Sequence, residues 1–155
     1  MEQLLDMKTY LVISLRFIVM LCMLSAFVPA VAQKPAGEKY IVEREREILK
    51  QESGSHNGGG NTTLYPFFAK ADSLKLVLKK RVLYPGSSIG YHYQESDEIF
   101  YILAGHGEMT MNNETFKVNA GDAILTRPGN WHGLKPTGKD SLVVIINYIN
   151  KAVVK

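Results

Sequence analysis

From Thr62 onward, short apolar runs alternate with turn signals, and that rhythm leaves an all-β sandwich or barrel as the fold class. Strands are expected over 64–69, 74–84, 89–93, 98–104, 108–111, 115–118, 123–126 and 142–149. The breaks between them carry Pro85-Gly86, Gly105, Asn112-Asn113, Gly121 and Pro128-Gly129. In Met109-Thr110-Met111 and Phe116-Lys117-Val118, apolar and polar residues alternate, so those strands have one wet face. Ile99 to Leu103 and Leu142 to Ile146 are apolar throughout, so both of their faces call for cover. One face lines the barrel, and the other needs a partner subunit or the N-terminal segment. A homodimer packed through Ile99, Tyr101 and Leu103 is the expectation.

The segment before the strands has a different character. Residues 33–61 are polar, with a charge run Glu43-Arg44-Glu45-Arg46-Glu47 between the pairs Ile41-Val42 and Ile48-Leu49. The seven-residue spacing of those pairs fits two helical turns, and an edge strand fits equally. Residues 53–61 (SGSHNGGGN) read as a flexible loop by composition. Further upstream, residues 1–32 read as an export signal. Lys8 and Arg16 precede the uncharged apolar stretch FIVMLCMLSAF at 17–27, and Ala30-Val31-Ala32 supplies small residues for cleavage after Ala32. The apolar stretch is shorter than the ~20 residues a membrane span requires. The expected product is therefore periplasmic or secreted, with no membrane attachment after cleavage.

Composition narrows the chemistry. Cys22 is the sole cysteine and lies inside the expected signal, so the mature chain has no disulfide, thiolate metal site or cysteine nucleophile. The net charge of +3 is spread among glutamates with no basic block, which excludes a nucleic-acid-binding face of the usual kind. Any metal must be held by nitrogen and oxygen. His92 and Gln94 are two apart on an expected strand and share a face. Glu98 opens the next strand after the turn Glu95-Ser96-Asp97, and His132 follows the Pro128-Gly129 turn. Two imidazoles and one carboxylate suit iron, manganese, nickel or zinc.

Residues 86–105 (GSSIGYHYQESDEIFYILAG) resemble the first motif of the cupin superfamily: a glycine, five residues, His-x-His, three or four residues, a glutamate, six residues and a glycine. Gly86, His92, Glu98 and Gly105 fall at the matching positions. Residues 121–136 (GDAILTRPGNWHGLKP) resemble the second motif through Gly121, Gly129 and His132. The resemblance implies a double-stranded β-helix, or jelly-roll barrel, over residues 62–150, with a short N-terminal extension. It also implies one divalent metal ion held inside by His92, Glu98 and His132. The chain departs from the motifs at Gln94, where the family has its second histidine, and at Arg127 and Pro136 in turns. Gln94 would serve as a weaker fourth ligand or hold a metal-bound water; the alternative is a site that has lost its metal.

A metal with open positions polarises a substrate oxygen or lowers the pKa of bound water. The resemblance implies a dioxygenase, isomerase or lyase, and export favours a small oxygen-rich substrate such as a sugar acid or a phenolic compound. A non-catalytic module that binds a sugar or small molecule is the alternative. An enzyme needs a general base, for which Glu98, Glu95 and His56 are the candidates, His56 by folding over the barrel mouth. Arg127, close to that mouth, is the candidate for a substrate carboxylate. Tyr91 and Tyr93 should point away from the metal, into core or interface, Phe100 and Ile102 toward it, and Met109 and Met111 into the core. His106, at a hairpin, should be exposed.

Overall fold

The computed structural model describes residues 39–150. The expected signal sequence, its cleavage point and Cys22 lie outside the described residues. The described chain is a two-sheet jelly roll in which every paired neighbour is antiparallel. After a single-turn helix α1 (Glu45–Ile48) come β1 (Lys50–Gly54), β2 (Gly59–Phe67), β3 (Leu76–Leu83), β4 (Ile89–Gln94) and β5 (Glu98–Ala104). Then follow β6 (His106–Met111), β7 (Glu114–Asn119), β8 (Ala123–Thr126), β9 (Asn130–Pro136) and β10 (Leu142–Ile149). One sheet has the order β1-β2-β3-β10-β5-β8, and the facing sheet has the order β4-β9-β6-β7.

The core forms where inward-facing residues of the two sheets meet. Phe100 and Ile102 on β5 and Leu142, Val144 and Ile146 on β10 face Met109 on β6, Val118 on β7 and Leu134 on β9. Each set recurs every second residue, as the pleat requires. Met109 is fully buried, and Met111 packs against the core from its margin. On the opposite face of β5, Ile99, Tyr101 and Leu103 stay 46%, 42% and 50% exposed, beside an equally exposed Leu125 on β8. Tyr91 and Tyr93 point away from the ligand residues but are exposed and not in the core; they group with Trp131 of β9 on the outer face of the smaller sheet. His106 is exposed at its turn.

Two stretches differ from the sequence reading. The 53–61 stretch is the tip of the β1–β2 hairpin rather than a flexible loop. That tip lies flat on the start of β4: the Gly90 amide donates to Ser55 O at 2.9 Å, and Ser88 Oγ donates to Gly58 O at 2.6 Å. Contact this close requires glycine, because a Cβ on Gly90 would stand 2.0 Å from His56 O. The second difference is β9, which the sequence reading left as a turn before His132. Gly133 and Pro136 interrupt its apolar alternation, yet it is the central partner of both β4 and β6. Of the two structures left open for the charge run, the helix forms, as the single turn α1, and the polar edge strand β1 begins only after it, at Lys50.

β1 is joined to the barrel by charge. The Arg81 guanidinium, almost fully buried on β3, donates to Thr62 Oγ1 at 2.8 Å and to Glu52 Oε1 of β1 at 2.7 Å. A buried cation requires such partners. Glu45 of α1 pairs with Lys80, and Glu43 accepts from the Phe68 amide at 2.6 Å. The described part of the N-terminal extension therefore runs along the β2–β3 end of the large sheet. The outer face of β5 lacks cover from it.

Candidate metal centre

His92 on β4 and His132 on β9 are direct cross-strand partners, so their side chains emerge side by side on the inner face. Glu98, the first residue of β5, projects inward from the opposite sheet. His92 Nε2 and His132 Nε2 lie 3.0 Å apart, and His132 Nε2 lies 3.2 Å from Glu98 Oε2. The ligand atoms of all three residues fall within 4.8 Å of one another. Glu98 and His132 are buried and His92 is half-buried. Phe100 packs edge-on against the His132 ring, with centroids 5.2 Å apart, and so forms the floor beneath it.

The far nitrogens of both rings decide what the near ones can do. His92 Nδ1 is 2.8 Å from the Gly90 carbonyl oxygen. A carbonyl only accepts, so Nδ1 carries the proton and Nε2 presents a lone pair. His132 Nδ1 sits 2.7 Å from Thr126 Oγ1, which holds that ring in the same sense when it accepts the Nδ1 proton. Glu98 Oε2 is buried without a hydrogen-bond partner, despite its closeness to His132 Nε2. With both rings in that tautomer, electron pairs on two nitrogens and a carboxylate oxygen face one another across a small space, an arrangement that a cation would satisfy. Bonds of ~2.1 Å in a tetrahedral set place donor atoms about 3.4 Å apart, close to the 3.0 Å and 3.2 Å spacings about His132 Nε2. The residues present fit a divalent metal ion.

The titration behaviour agrees. Burial lowers the His92 pKa below the ordinary value of 6.5, with nearby His132 acting in the same direction; the Gly90 carbonyl and Glu98 oppose it. Burial likewise lowers that of His56, with His92 adding to the effect. Both rings are therefore neutral near pH 7, as metal binding or proton acceptance requires.

A model of the cupin domain matches residues 80–148. An oxalate-binding protein of Thermotoga maritima is 32% identical over 107 residues, which cover 66% of this chain and 88% of that protein. The chain belongs to the cupin superfamily. Among solved structures, a predicted oxalate decarboxylase from Thermotoga maritima superposes with a TM-score of 0.64 at 31% identity, over 70% of this chain and 98% of that one. A cupin 2 conserved barrel domain protein from Salinispora arenicola shares the fold at 19% identity, with a TM-score of 0.59 over 74% and 92% of the two chains.

In this cupin a cavity of about 310 Å³ opens beside the three ligand residues, a volume suited to a small molecule. Gln94 and Glu95 line it, and the Gln94 amide donates weakly to Ser96 Oγ at 3.4 Å. His56 lines it too, carried there by the docked hairpin tip, where its backbone takes φ +53°. Its ring stacks on His92 with centroids 3.4 Å apart and planes 3° from parallel. Stacked flat on His92, the His56 ring is not among the residues whose donor atoms converge, and it would not reach an ion held by His92 Nε2. His56 is therefore placed for proton transfer or substrate contact and not as a ligand in this arrangement. Arg127 is not brought to the cavity. It is exposed and pairs with Asp97 at 3.1 Å.

Three cavity or support residues escaped the sequence reading. Thr126 looks like any small strand-end residue until the fold places it against His132. Lys79 and Arg81 line the cavity from β3. They share parity with Val77 and Leu83 in LVLKKRVL, so the alternation marked them as inward-facing. Charged residues within an apolar strand signal a wet interior or a bound anion.

Proposed function

We propose that this cupin is a metal-dependent enzyme acting on a small oxygen-rich acid, with His92, Glu98 and His132 holding one divalent ion and His56 moving a proton. The convergence of two imidazole lone pairs and an orphaned carboxylate oxygen carries this reading. When bound, iron, manganese, nickel or zinc in such a set supplies Lewis acidity toward a substrate oxygen. Gln94 stands beside the ligands as a weak oxygen donor or as the holder of a metal-bound water. With Glu98 committed to the ion, Glu95 and His56 remain, and His56, a neutral imidazole on the cavity wall stacked against His92, is the proposed base. Lys79 and Arg81 on the same wall favour an acid over a neutral phenol or sugar, and the relative named for oxalate binding points the same way.

That relative's name also favours a second reading, a binding module without turnover. The two separate in one experiment. Manganese-loaded protein is incubated with oxalate and with sugar acids while binding is followed by calorimetry and the acids by NMR. Consumption of a bound acid, abolished in His56→Ala, is the expected result; binding with no consumption supports the module.

The proposal includes export, with the mature chain beginning at Gln33, and a homodimer joined through the outer face of β5. Intact-mass measurement of native protein tests the first. A mass that retains residues 1–32 in a membrane fraction would contradict it.

A further inference from the structure

We propose that Lys79 and Tyr148 form an anion subsite facing the metal triad, so that the preferred ligand is a small dianion such as a dicarboxylate. The inference rests on the metal reading above and adds the charge class of the ligand. Tyr148 on β10 lies between two strands that matter: it pairs with Glu98 of β5 on one side and with Val77 of β3 on the other. Lys79, two residues along β3 and on the same inner face, sends its ammonium back to the Tyr148 hydroxyl at 2.9 Å. The lysine head group is thereby turned along the sheet toward Glu98, and both residues line the cavity beside the triad.

Charge counting then selects the ligand. Arg81 is neutralised by Glu52 at 2.7 Å. Glu95 also lines the cavity but sits on its rim, exposed to solvent that screens its charge, and has a contact of its own. Among the described residues, Lys79 has no carboxylate within ion-pairing distance; its recorded contacts are the hydroxyl and the ring of Tyr148. A divalent ion with two neutral imidazoles and one carboxylate keeps one positive charge, and Lys79 adds another. A partly enclosed pair of positive charges needs two negative charges to balance it. A dianion supplies both, one carboxylate meeting the ion and the other the ammonium, whereas a neutral sugar supplies neither. Arg81, which also lines the cavity, keeps a buried Nε without a hydrogen-bond partner.

The test uses the mature chain and its variants Lys79→Met, Lys79→Arg and Tyr148→Phe, each titrated first with Mn2+ and then with oxalate, glycolate or glucose. All four proteins should bind Mn2+, because none of the changes touches a ligand residue, and Lys79→Met should bind it at least as tightly as wild type, because it removes a like charge. Oxalate should bind metal-loaded wild type more tightly than glycolate, and glucose should not bind. Lys79→Met should weaken oxalate at least tenfold, Tyr148→Phe by less, and Lys79→Arg should retain most of the affinity. Metal-loaded Lys79→Met that binds oxalate as tightly as wild type overturns the subsite. So does a wild type that prefers glycolate or glucose. Absence of Mn2+ binding in wild type is a different failure, which removes the metal reading on which the subsite depends.

Discussion

Each of the two candidate histidine ligands has a neighbour on its far nitrogen. The Gly90 carbonyl sets the His92 tautomer, and Thr126 holds the His132 ring in place. Removing such an outer partner typically costs about 10–100-fold in metal affinity. Thr126→Val, nearly equal in volume, should weaken Mn2+ binding within that range and leave the circular dichroism spectrum unchanged; calorimetry reads the loss. Gln94→His should tighten binding by adding an imidazole, and Gln94→Ala should weaken it modestly. Proton uptake provides a second check. His56 and His92 have pKa values below 6.5 in the folded chain and near 6.5 when unfolded. Between those values the unfolded chain binds more protons, so this contribution is complete above pH 6.5 and is lost as pH falls toward the folded values. Urea midpoints of metal-free protein should therefore fall between pH 7.5 and pH 5 by more in wild type than in His56→Ala. Equal falls would contradict the lowered His56 pKa. At this scale the sequence was most legible where spacing constrained geometry. His92 and Glu98 stood out from a motif of fixed spacing. Lys79, Arg81 and Thr126 did not, because their roles arise from strands distant in the chain.

At the level of elements, the β1–β2 hairpin is what gives the site its fourth wall. Its tip meets β4 only because Gly54, Gly58 and Gly90 lack side chains. Gly90→Ala should displace the tip by steric overlap with His56 O and cost about 1–3 kcal/mol, as overpacking does. His56 would leave His92, and its nitrogen NMR signals should return toward those of a solvated imidazole. Unchanged signals and stability would show that the contact is slack. The strands were legible from alternation wherever one face is wet, as in β6. Where both signals failed, the cause was local. β1 is polar on both faces because it is an edge strand, and β9 contains a glycine and ends in a proline. The glycine-rich tip looked flexible because glycine serves close approach as well as freedom, and composition does not separate the two.

For the whole molecule, the unresolved demand is cover for the outer face of β5. Ile99, Tyr101, Leu103 and Leu125 form a continuous exposed apolar patch there. The described N-terminal extension lies at the other end of the sheet, so a second copy of the chain is the proposed cover. Stable interfaces bury about 1,200–2,000 Å². Sedimentation of the mature chain at micromolar concentration should give a dimer, and Tyr101→Lys with Leu103→Lys should give a folded monomer. A wild-type monomer would contradict the dimer. The double sheet was legible from the all-apolar strands, which announced that both faces are apolar without saying what covers the outer one.

The proposed metal bears on all three scales, because an ion held by His92, Glu98 and His132 would join β4, β5 and β9 across both sheets. The most direct measurement is a calorimetric Mn2+ titration of chelator-stripped protein under reducing conditions, with Glu98→Ala alongside. Glu98 supplies the only negative charge in the ligand set, so its loss should exceed the effect of any outer partner. The expected result is one site per chain in wild type and no measurable binding in a variant that keeps its β spectrum. No heat from wild type at micromolar concentration, or equal binding by Glu98→Ala, would contradict the account.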